Sequence, residues 1–387
     1  MRTRTTLLIV LCTLLVSVAP VGAVGAAGAP TAHASVDNAA AVQQSVPDCS
    51  YPLSSTDATG TEVTIEEAPE TVTTLGPSAA QTMWEIGGKE QVVGLDQNAE
   101  YLAGAESRTN VSAAGFGYST EAVVGTEADL VLAANIVSND TVAALRDAGM
   151  TVYKFESATS IEDVANKTAL IGQLTGNCEG AAEANAWMNA NVDTAREVTA
   201  DSDRPRVLVP LGGGFVVGNE TFIDAMVTAA GGENVAAERY GSGYTEASDE
   251  VIVELDPEII VFQPWMASYI GQEPFSLTTA GENNASVVVN ANYLSQPAPR
   301  SVVYATRNLT EGFHPDAAAS AEWTARGDVS VETETPTPTE TVAMTETATA
   351  TETATSTDTT ETSGPGFGAG ATVAALGAGA ALLARRD

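Results

Sequence analysis

Two stretches of the chain repeat a pattern of carboxylates around a short apolar segment. Ser119–Ala133 (STEAVVGTEADLVLA) and Ser248–Phe262 (SDEVIVELDPEIIVF) each open with Ser-x-Glu and carry a second acidic residue eight positions after that glutamate. Glu121 and Glu250 follow a serine that can cap a helix, where a carboxylate favours the helix dipole by ~0.3–1 kcal/mol. An exposed carboxylate can also form charge-assisted pairs with cations. The repeat therefore predicts a helix-strand unit that occurs twice.

The chain contains few residues of the types that enzymes use for catalysis. The histidines are His33 and His314, and neither G-x-S-x-G nor H-E-x-x-H occurs. An exported hydrolase with a Ser-His-Asp arrangement therefore has little support, and no site for a bare metal ion is expected. The run Gly212–Gly214 lacks the lysine of a phosphate loop, so we interpret it as a strand-to-helix turn. The sequence favours binding without catalysis and without a catalytic cofactor.

The charge balance excludes one class of partner. The 387 residues include 50 acidic and 16 basic side chains, with a net charge of −34 and a pI of about 4.1. Such a chain lacks the cations that displace phosphate counterions, so we expect no nucleic-acid partner. Acidic residues are spread along the sequence. This distribution is typical of halophilic proteins, whose self-repulsion is screened by salt.

The N-terminus has the features of an export signal. A basic start at Arg2 and Arg4 precedes the apolar run Leu7–Val18, which is too short to span a membrane. We predict a signal peptide over residues 1–34, with an uncleaved membrane helix as the alternative. Residues 35–70 form an N-terminal segment and hairpin.

Export allows two kinds of covalent modification. Without the signal peptide, Cys49 and Cys178 remain and can form a disulfide, with two buried free thiols as the alternative. Asn-x-Ser/Thr sequons predict glycosylation of surface positions. The candidate acceptors are Asn110, Asn139, Asn166, Asn219, Asn284 and Asn308.

The C-terminal part indicates a tether. Residues 327–363 are rich in threonine and predict a disordered linker. Residues 364–387 hold an uncharged stretch that is followed by Arg385 and Arg386. The stretch can form a transmembrane helix. Its opening tripeptide Pro365-Gly366-Phe367 resembles the PGF-type sorting signal of archaeal surface proteins. That resemblance implies processing by an archaeosortase, with a retained anchor as the alternative.

The middle of the chain alternates short aliphatic strands with helices in two halves. Strands are predicted at Val72–Leu75, Gln91–Leu95, Leu130–Ala133, Thr151–Phe155, Arg206–Leu211, Ile259–Phe262 and Ser286–Asn290. Helices are predicted at Ser78–Ile86, Thr120–Gly125, Asn139–Ala148, Glu220–Ala230 and Asp249–Leu255. This order indicates an α/β fold of two Rossmann-like lobes, each with a parallel sheet. One long helix at Glu179–Val198 joins the lobes and leaves a ligand cleft between them.

The segment DATGTEVTIEEAPETVTTLGPSAAQTMWEIGGKEQVVGL resembles the opening of class III periplasmic binding proteins, which serve importers of iron chelates and cobalamin. The stretches EAVVGTEADLVLA, GGENVA, SDEVIVELDPEIIVF and APRSVVYA continue the resemblance, which covers Thr56–Thr310. It implies an N-terminal lobe at 71–178, a bridging helix at 179–200 and a C-terminal lobe at 201–326. Gln81 departs from this family, in which that position is usually Glu.

The resemblance implies two sets of functional residues. By position in the motif, Glu121 and Glu250 match the glutamates that dock to arginines of an ABC transporter permease, which works with its ATPase. The alternative is a local role, in which each glutamate only favours the dipole of its own helix. Loops at the carboxyl ends of strands normally face the ligand. The aromatic and thioether residues in such loops, which we predict to bind ligand, with a place in the core or on the lobe surface as the alternative for several of them, are Phe116, Tyr118, Phe215, Tyr244, Trp265, Met266 and Tyr269.

These residues favour a small-molecule metal chelate as ligand. A strongly anionic siderophore requires clustered cations, and the candidates are few: Arg108, Arg239 and Arg300. Cobalamin, a flat molecule rimmed by amides, suits aromatic loops better, and a ferric siderophore ranks next. A structural or adhesive surface glycoprotein is the alternative function.

Overall fold

The computed structural model describes residues 49–331, apart from Phe116. The predicted signal peptide at 1–34, most of the linker at 327–363 and the sorting signal at 364–387 lie outside the described residues. Within the described part, no helix has the length and apolar character needed to cross a bilayer.

The described residues form fourteen strands and twelve helices. The strands are β1 Leu53–Thr56, β2 Glu62–Ile65, β3 Val72–Leu75, β4 Val92–Leu95, β5 Thr109–Asn110, β6 Leu130–Ala133, β7 Val152–Lys154, β8 Arg206–Leu208, β9 Pro210–Gly212, β10 Phe215–Val217, β11 Glu233–Asn234, β12 Tyr244–Glu246, β13 Ile259–Phe262 and β14 Ser286–Val288. The helices are α1 Pro77–Glu85, α2 Thr120–Val124, α3 Asn139–Asp147, α4 Ile161–Thr175, α5 Cys178–Val198, α6 Phe222–Ala229, α7 Val235–Tyr240, α8 Asp249–Leu255, α9 Thr279–Glu282, α10 Ala291–Leu294, α11 Pro299–Phe313 and α12 Pro315–Ala318. Short 3-10 helices lie at Gly88–Gln91, Gln97–Ala99, Ala105–Ser107, Pro264–Gly271, Phe275–Leu277 and Arg326–Asp328.

Each lobe is built on a parallel sheet. The N-terminal sheet has the order β5-β4-β3-β6-β7, and the C-terminal sheet has the order β11-β8-β13-β14. Strands β3 and β6 are buried along their whole length. Helices cover both faces of such sheets, and this explains why β6 is a continuous aliphatic run and why β3 is buried at all four positions, including Thr73 and Thr74. The predicted fold class is confirmed.

The C-terminal lobe has an additional antiparallel sheet, in the order β12-β10-β9. The predicted strand Arg206–Leu211 is divided into β8 and β9, and Gly212–Gly214 is the turn of a hairpin, so its interpretation as a strand-to-helix turn is wrong. All three glycines have positive φ, between 62° and 88°. Side chains disfavour this backbone, and consecutive glycines permit the tight reversal.

A pair of helices connects the lobes. Helix α4 was not predicted; it begins at a capping box between Ser160 and Asp163 and ends at Gly176, whose φ is 78°. Helix α5 then crosses to the C-terminal lobe and starts one residue before its predicted position. It packs against α4 and α11. The disulfide between Cys49 and Cys178 is confirmed and ties the N-terminal segment to the start of α5.

Candidate functional site

A cleft of about 930 Å³ lies between the two lobes. The N-terminal lobe contributes the start of α1, the loop after β4 and the loop after β6. The C-terminal lobe contributes the start of α6, the approach to β12, the end of β13 and the region of α10. The volume lies within the range typical of small-molecule sites.

Several cleft residues follow directly after strands of the parallel sheets. Gln97 follows β4, Asn135 follows β6 and Gln263 follows β13. The carboxyl ends of parallel strands lie at one edge of each sheet, so these loops all reach the ligand side. The same rule applied to all polar side chains, and not mainly to aromatic ones, predicts these three amides from sequence.

The chemistry of the cleft is mostly uncharged and polar. Amide side chains line it at Gln97, Asn98, Asn135, Gln263, Asn292 and Gln296. Glu220 is the one charged side chain on its wall among the described residues. Hydroxyls of Ser78, Thr159 and Ser295 lie between the amides. This wall can donate and accept hydrogen bonds in many directions and suits a neutral ligand rich in amides.

A buried hydrogen-bond network joins the lobes beside the cleft. Gln81 of α1 is completely buried, and its Nε2 donates to Tyr101 Oη at 2.6 Å. Its Oε1 accepts from the backbone N–H and the hydroxyl of Ser301 on α11. Burial raises the pKa of Tyr101 to about 12, so this hydroxyl keeps its proton at working pH. Tyr101 also lines the cleft.

A lysine makes a second contact between the lobes. Lys167 Nζ donates to the carbonyl oxygen of Pro297 at 2.6 Å and to Ser78 Oγ at 3.2 Å. Burial lowers the pKa of Lys167 to about 7, because the charged amine loses its contact with water. The residue as a whole is half-buried.

The structure places the predicted ligand residues in different environments. Tyr244 lines the cleft and is 47% exposed. Met266 is 2% exposed and packs in the core beneath β13, so its prediction as a ligand residue is wrong. A methionine in a loop can face either the ligand or the core, and Met266 packs in the apolar core. Phe116 lies outside the described residues.

The remaining aromatic candidates in the described part of the chain do not line the cleft, although Trp265 Nε1 donates to Oε1 of the cleft residue Gln263 at 3.0 Å. Tyr118 packs against the core under β6, where burial and nearby Asp96 raise its pKa. Phe215 is at the tip of the β9-β10 hairpin, and Trp265 stacks on Gly212 in that hairpin. The rings of Tyr269 and Trp265 pack edge to face, with 6.2 Å between their centroids. These three side chains form an aromatic surface around the glycine turn.

The two candidate docking glutamates occupy equivalent positions. Glu121 and Glu250 are exposed, and each is the second residue of its helix. Ser119 Oγ accepts from the N–H of Ala122, and Ser248 Oγ accepts from the N–H of Val251. Both serines therefore cap their helices as predicted, and the docking role stays a prediction.

The sequons differ in accessibility. Exposed acceptors are Asn110, Asn139, Asn166 and Asn284. Asn219 and Asn308 are half-buried, and Asn219 Oδ1 is enclosed. Glycosylation stays a prediction, favoured at the four exposed positions. No cluster of three or more metal-binding His, Cys, Asp or Glu side chains occurs in the described part of the chain.

Two Rossmann-like lobes around a polar cleft define a protein that captures a small molecule. A family model described as "Periplasmic binding protein" matches residues 72–287. A protein of Halobacterium salinarum named "Cobalamin-binding protein" is 43% identical over 299 residues, which cover 74% of this chain and 78% of the relative. The chain belongs to the periplasmic binding protein family, whose members are substrate-binding proteins of ABC transporters and not enzymes.

Solved structures share this fold at low identity. The periplasmic heme-binding protein RhuT from Roseiflexus is 24% identical, with a TM-score of 0.58 over 64% of this chain and 99% of that protein. The vitamin B12 binding protein BtuF of Vibrio cholerae is 18% identical, with a TM-score of 0.56 over 65% of this chain and 98% of that protein. At these identities the likeness concerns the fold alone.

Proposed function

We propose that this protein captures a cobalamin-type corrinoid in the cleft and delivers it to the permease of an ABC importer. The observation that carries the proposal is the cleft wall, on which the described residues place six amide side chains and a single charge. A corrinoid has an amide-bearing rim, so its hydrogen bonds can be matched by this wall without burying an unpaired charge. The name of the Halobacterium salinarum relative supports the same ligand class.

The positions of the arginines favour a neutral ligand over an anionic ferric chelate. Arg108 pairs with Glu90, and Arg300 pairs with Glu85. Arg239 lies over the ring of Tyr240. None of the three lines the cleft, so none of these arginines supplies a counter-ion to a siderophore with several negative charges.

We further propose that Glu121 and Glu250 dock to arginines of the permease, with one carboxylate on each lobe. Their separation then reports the closure of the cleft. Export, glycosylation of the exposed sequons and a C-terminal tether processed by an archaeosortase complete the proposal. They place the folded part on the outer face of the membrane.

Calorimetric titration of the full-length chain in high salt tests the ligand. We expect saturable binding of cobalamin at one site and weaker or no binding of an anionic ferric siderophore. Gln97→Leu should weaken cobalamin binding about fivefold, the value of one hydrogen bond of about 1 kcal/mol. Gln272→Leu, at an exposed amide of the C-terminal lobe outside the cleft, is the matched control and should have no effect. Absence of heat with cobalamin would refute the proposed ligand.

A further inference from the structure

The orientation of the buried Gln81 amide is determined by two backbone groups. Gln81 Oε1 lies 3.0 Å from the backbone nitrogen of Ser301, and a backbone N–H can only donate. Gln81 Nε2 lies 3.3 Å from the carbonyl oxygen of Asn292, and a carbonyl can only accept. The opposite orientation would place donor against donor and acceptor against acceptor. The amide nitrogen therefore faces Tyr101.

This orientation decides the polarity of the Tyr101 hydroxyl. Gln81 Nε2 donates to Tyr101 Oη at 2.6 Å, so the phenol oxygen is the acceptor in this contact. Its own proton must be donated elsewhere. Within residues 49–331 apart from Phe116, no side chain or carbonyl accepts a hydrogen bond from Tyr101 Oη. Tyr101 lines the cleft, and the cleft is the open direction for that proton.

We propose that Gln81, which does not line the cleft itself, fixes Tyr101 as a hydrogen-bond donor toward an acceptor oxygen of the bound ligand. The inference rests on the proposed function for the identity of that ligand. The acceptor class is a neutral carbonyl oxygen, such as the oxygen of a primary amide on the rim of a corrinoid. Gln81 is a positioning residue, and Tyr101 is the residue that touches the ligand.

The substitution Gln81→Glu reverses this polarity with little change in shape. A carboxylate accepts hydrogen bonds and does not donate them, so the Tyr101 proton turns toward residue 81 and away from the cleft. We expect cobalamin affinity to fall about tenfold at pH 8, consistent with the loss of one hydrogen bond to a buried acceptor. Affinity should recover as the pH is lowered, since the protonated carboxyl can donate again.

A double-mutant cycle with Tyr101→Phe separates positioning from packing. Tyr101→Phe alone should also weaken cobalamin binding about tenfold, and Q81E should weaken binding much less in the Y101F background than in the wild type, the remainder coming from the lost contact to the Asn292 carbonyl. An additive loss in the double variant, or an unchanged affinity of Y101F, would overturn the inference. Thermal unfolding of each variant establishes that it is folded, and Y101F tests the donor even where Q81E does not fold.

Neutron diffraction from deuterium-exchanged crystals of the ligand-free wild-type protein provides a test that needs no ligand. We expect the Tyr101 O–D bond to point into the cleft and the deuterated amide of Gln81 to point at Tyr101 Oη. A deuteron between the two groups that belongs to the tyrosine would overturn the inference, whatever the protein binds. Failure of the wild-type protein to bind cobalamin, with the expected O–D direction, would instead refute only the proposed ligand.

Discussion

The two copies of the repeated motif, Ser119–Ala133 and Ser248–Phe262, build the same local structure in different lobes. In each copy a serine caps a short helix, and the glutamate two residues later is exposed. Six residues after that glutamate, Glu127 and Asp256 adopt positive φ values of 51° and 41°. Such values are uncommon for side chains other than glycine, and their recurrence indicates one shared backbone path.

The second acidic residue of each copy also has a shared role. Asp129 accepts from the backbone N–H of Thr71, just before β3, and Glu258 accepts from the backbone N–H of Arg206, the first residue of β8. Each carboxylate thus ties its copy to the first strand of its parallel sheet. The motif is therefore an architectural unit that holds an exposed glutamate at the same place in each lobe.

The copies diverge where their strands end. After β6 the chain continues with Ala134, Asn135 and Ile136, which line the cleft. After β13, Gln263 lines the cleft, and the chain then forms the 3-10 helix Pro264–Gly271, which packs its aromatic side chains beside the glycine hairpin. The shared part positions the glutamates, and the divergent part shapes the site. The proposed docking residues and the cleft-lining residues thus lie in adjacent segments.

Charge reversal at both exposed glutamates should have the largest effect. We expect the double variant Glu121→Arg, Glu250→Arg to reduce cobalamin uptake by cells to background, since two charge-assisted contacts with the permease become repulsive. Cobalamin affinity measured by calorimetry should not change, because neither residue lines the cleft. Each single charge reversal should reduce uptake in part. Equal reductions by the two single variants would indicate that the two copies of the motif contribute equally to docking.

The matched control changes the same net charge outside the motif. Glu106 and Glu282 are exposed, one in each lobe, and the double variant Glu106→Arg, Glu282→Arg should retain uptake. Normal uptake by the motif variant, or an equal loss in the control, would refute specific docking.

Removal of the second acidic residue should affect the two lobes unequally. Asp129 accepts from the N–H groups of Glu70 and Thr71 and from the Thr71 hydroxyl, whereas Glu258 accepts from the N–H of Arg206. We expect Asp129→Ala to lower the free energy of unfolding by about 2–3 kcal/mol and Glu258→Ala by about 1 kcal/mol. Urea unfolding followed by tryptophan fluorescence measures the difference. Equal losses would contradict the unequal anchoring.

Removal of the serine caps should have smaller and nearly equal effects. Ser119 Oγ lies 3.2 Å from the nitrogen of Ala122, and Ser248 Oγ lies 3.4 Å from the nitrogen of Val251. We expect Ser119→Ala and Ser248→Ala each to cost about 1 kcal/mol in the free energy of unfolding. Because the caps are in separate lobes, their effects should add in the double variant. If only one of the two variants loses stability, only that copy of the motif depends on its serine cap.

The smallest expected effect is a change in titration at Glu250. Its own backbone N–H and the Ser248 hydroxyl lower the pKa of this carboxyl. A carboxyl with a pKa lowered by folding contributes stability above its unfolded pKa, and that contribution is lost as the pH falls through the folded pKa. We expect Ser248→Ala to raise the pKa of Glu250, measured by NMR of the side-chain carboxyl. Ser119→Ala is the control and should leave it unchanged.

Much of the fold could be predicted from the sequence because its central strands are buried on both faces. Val72–Leu75, Leu130–Ala133 and Ile259–Phe262 were predicted with the bounds that the structure has. The small β9-β10-β12 sheet was missed, since its three-residue strands flank glycines and carry no long periodic pattern. Helix α4 was missed because polar residues interrupt its apolar stripe.

Less of the candidate site could be predicted. Loop position alone does not say whether a side chain faces the ligand, the core or solvent, and Tyr244, Trp265 and Met266 illustrate the three outcomes. The contact between Gln81 and Tyr101 depends on residues of α10 and α11, more than 200 positions away along the chain. Such a network becomes visible only when the lobes are packed together.

A crystal structure of the full-length protein with cobalamin tests the central claim most directly. The account predicts a corrin ring in the cleft between the lobes, with its amide rim in contact with Gln97, Asn135 and Gln263 and with an acceptor oxygen at Tyr101. Cobalamin bound outside the cleft, or a cleft that stays empty at saturating cobalamin, would contradict it.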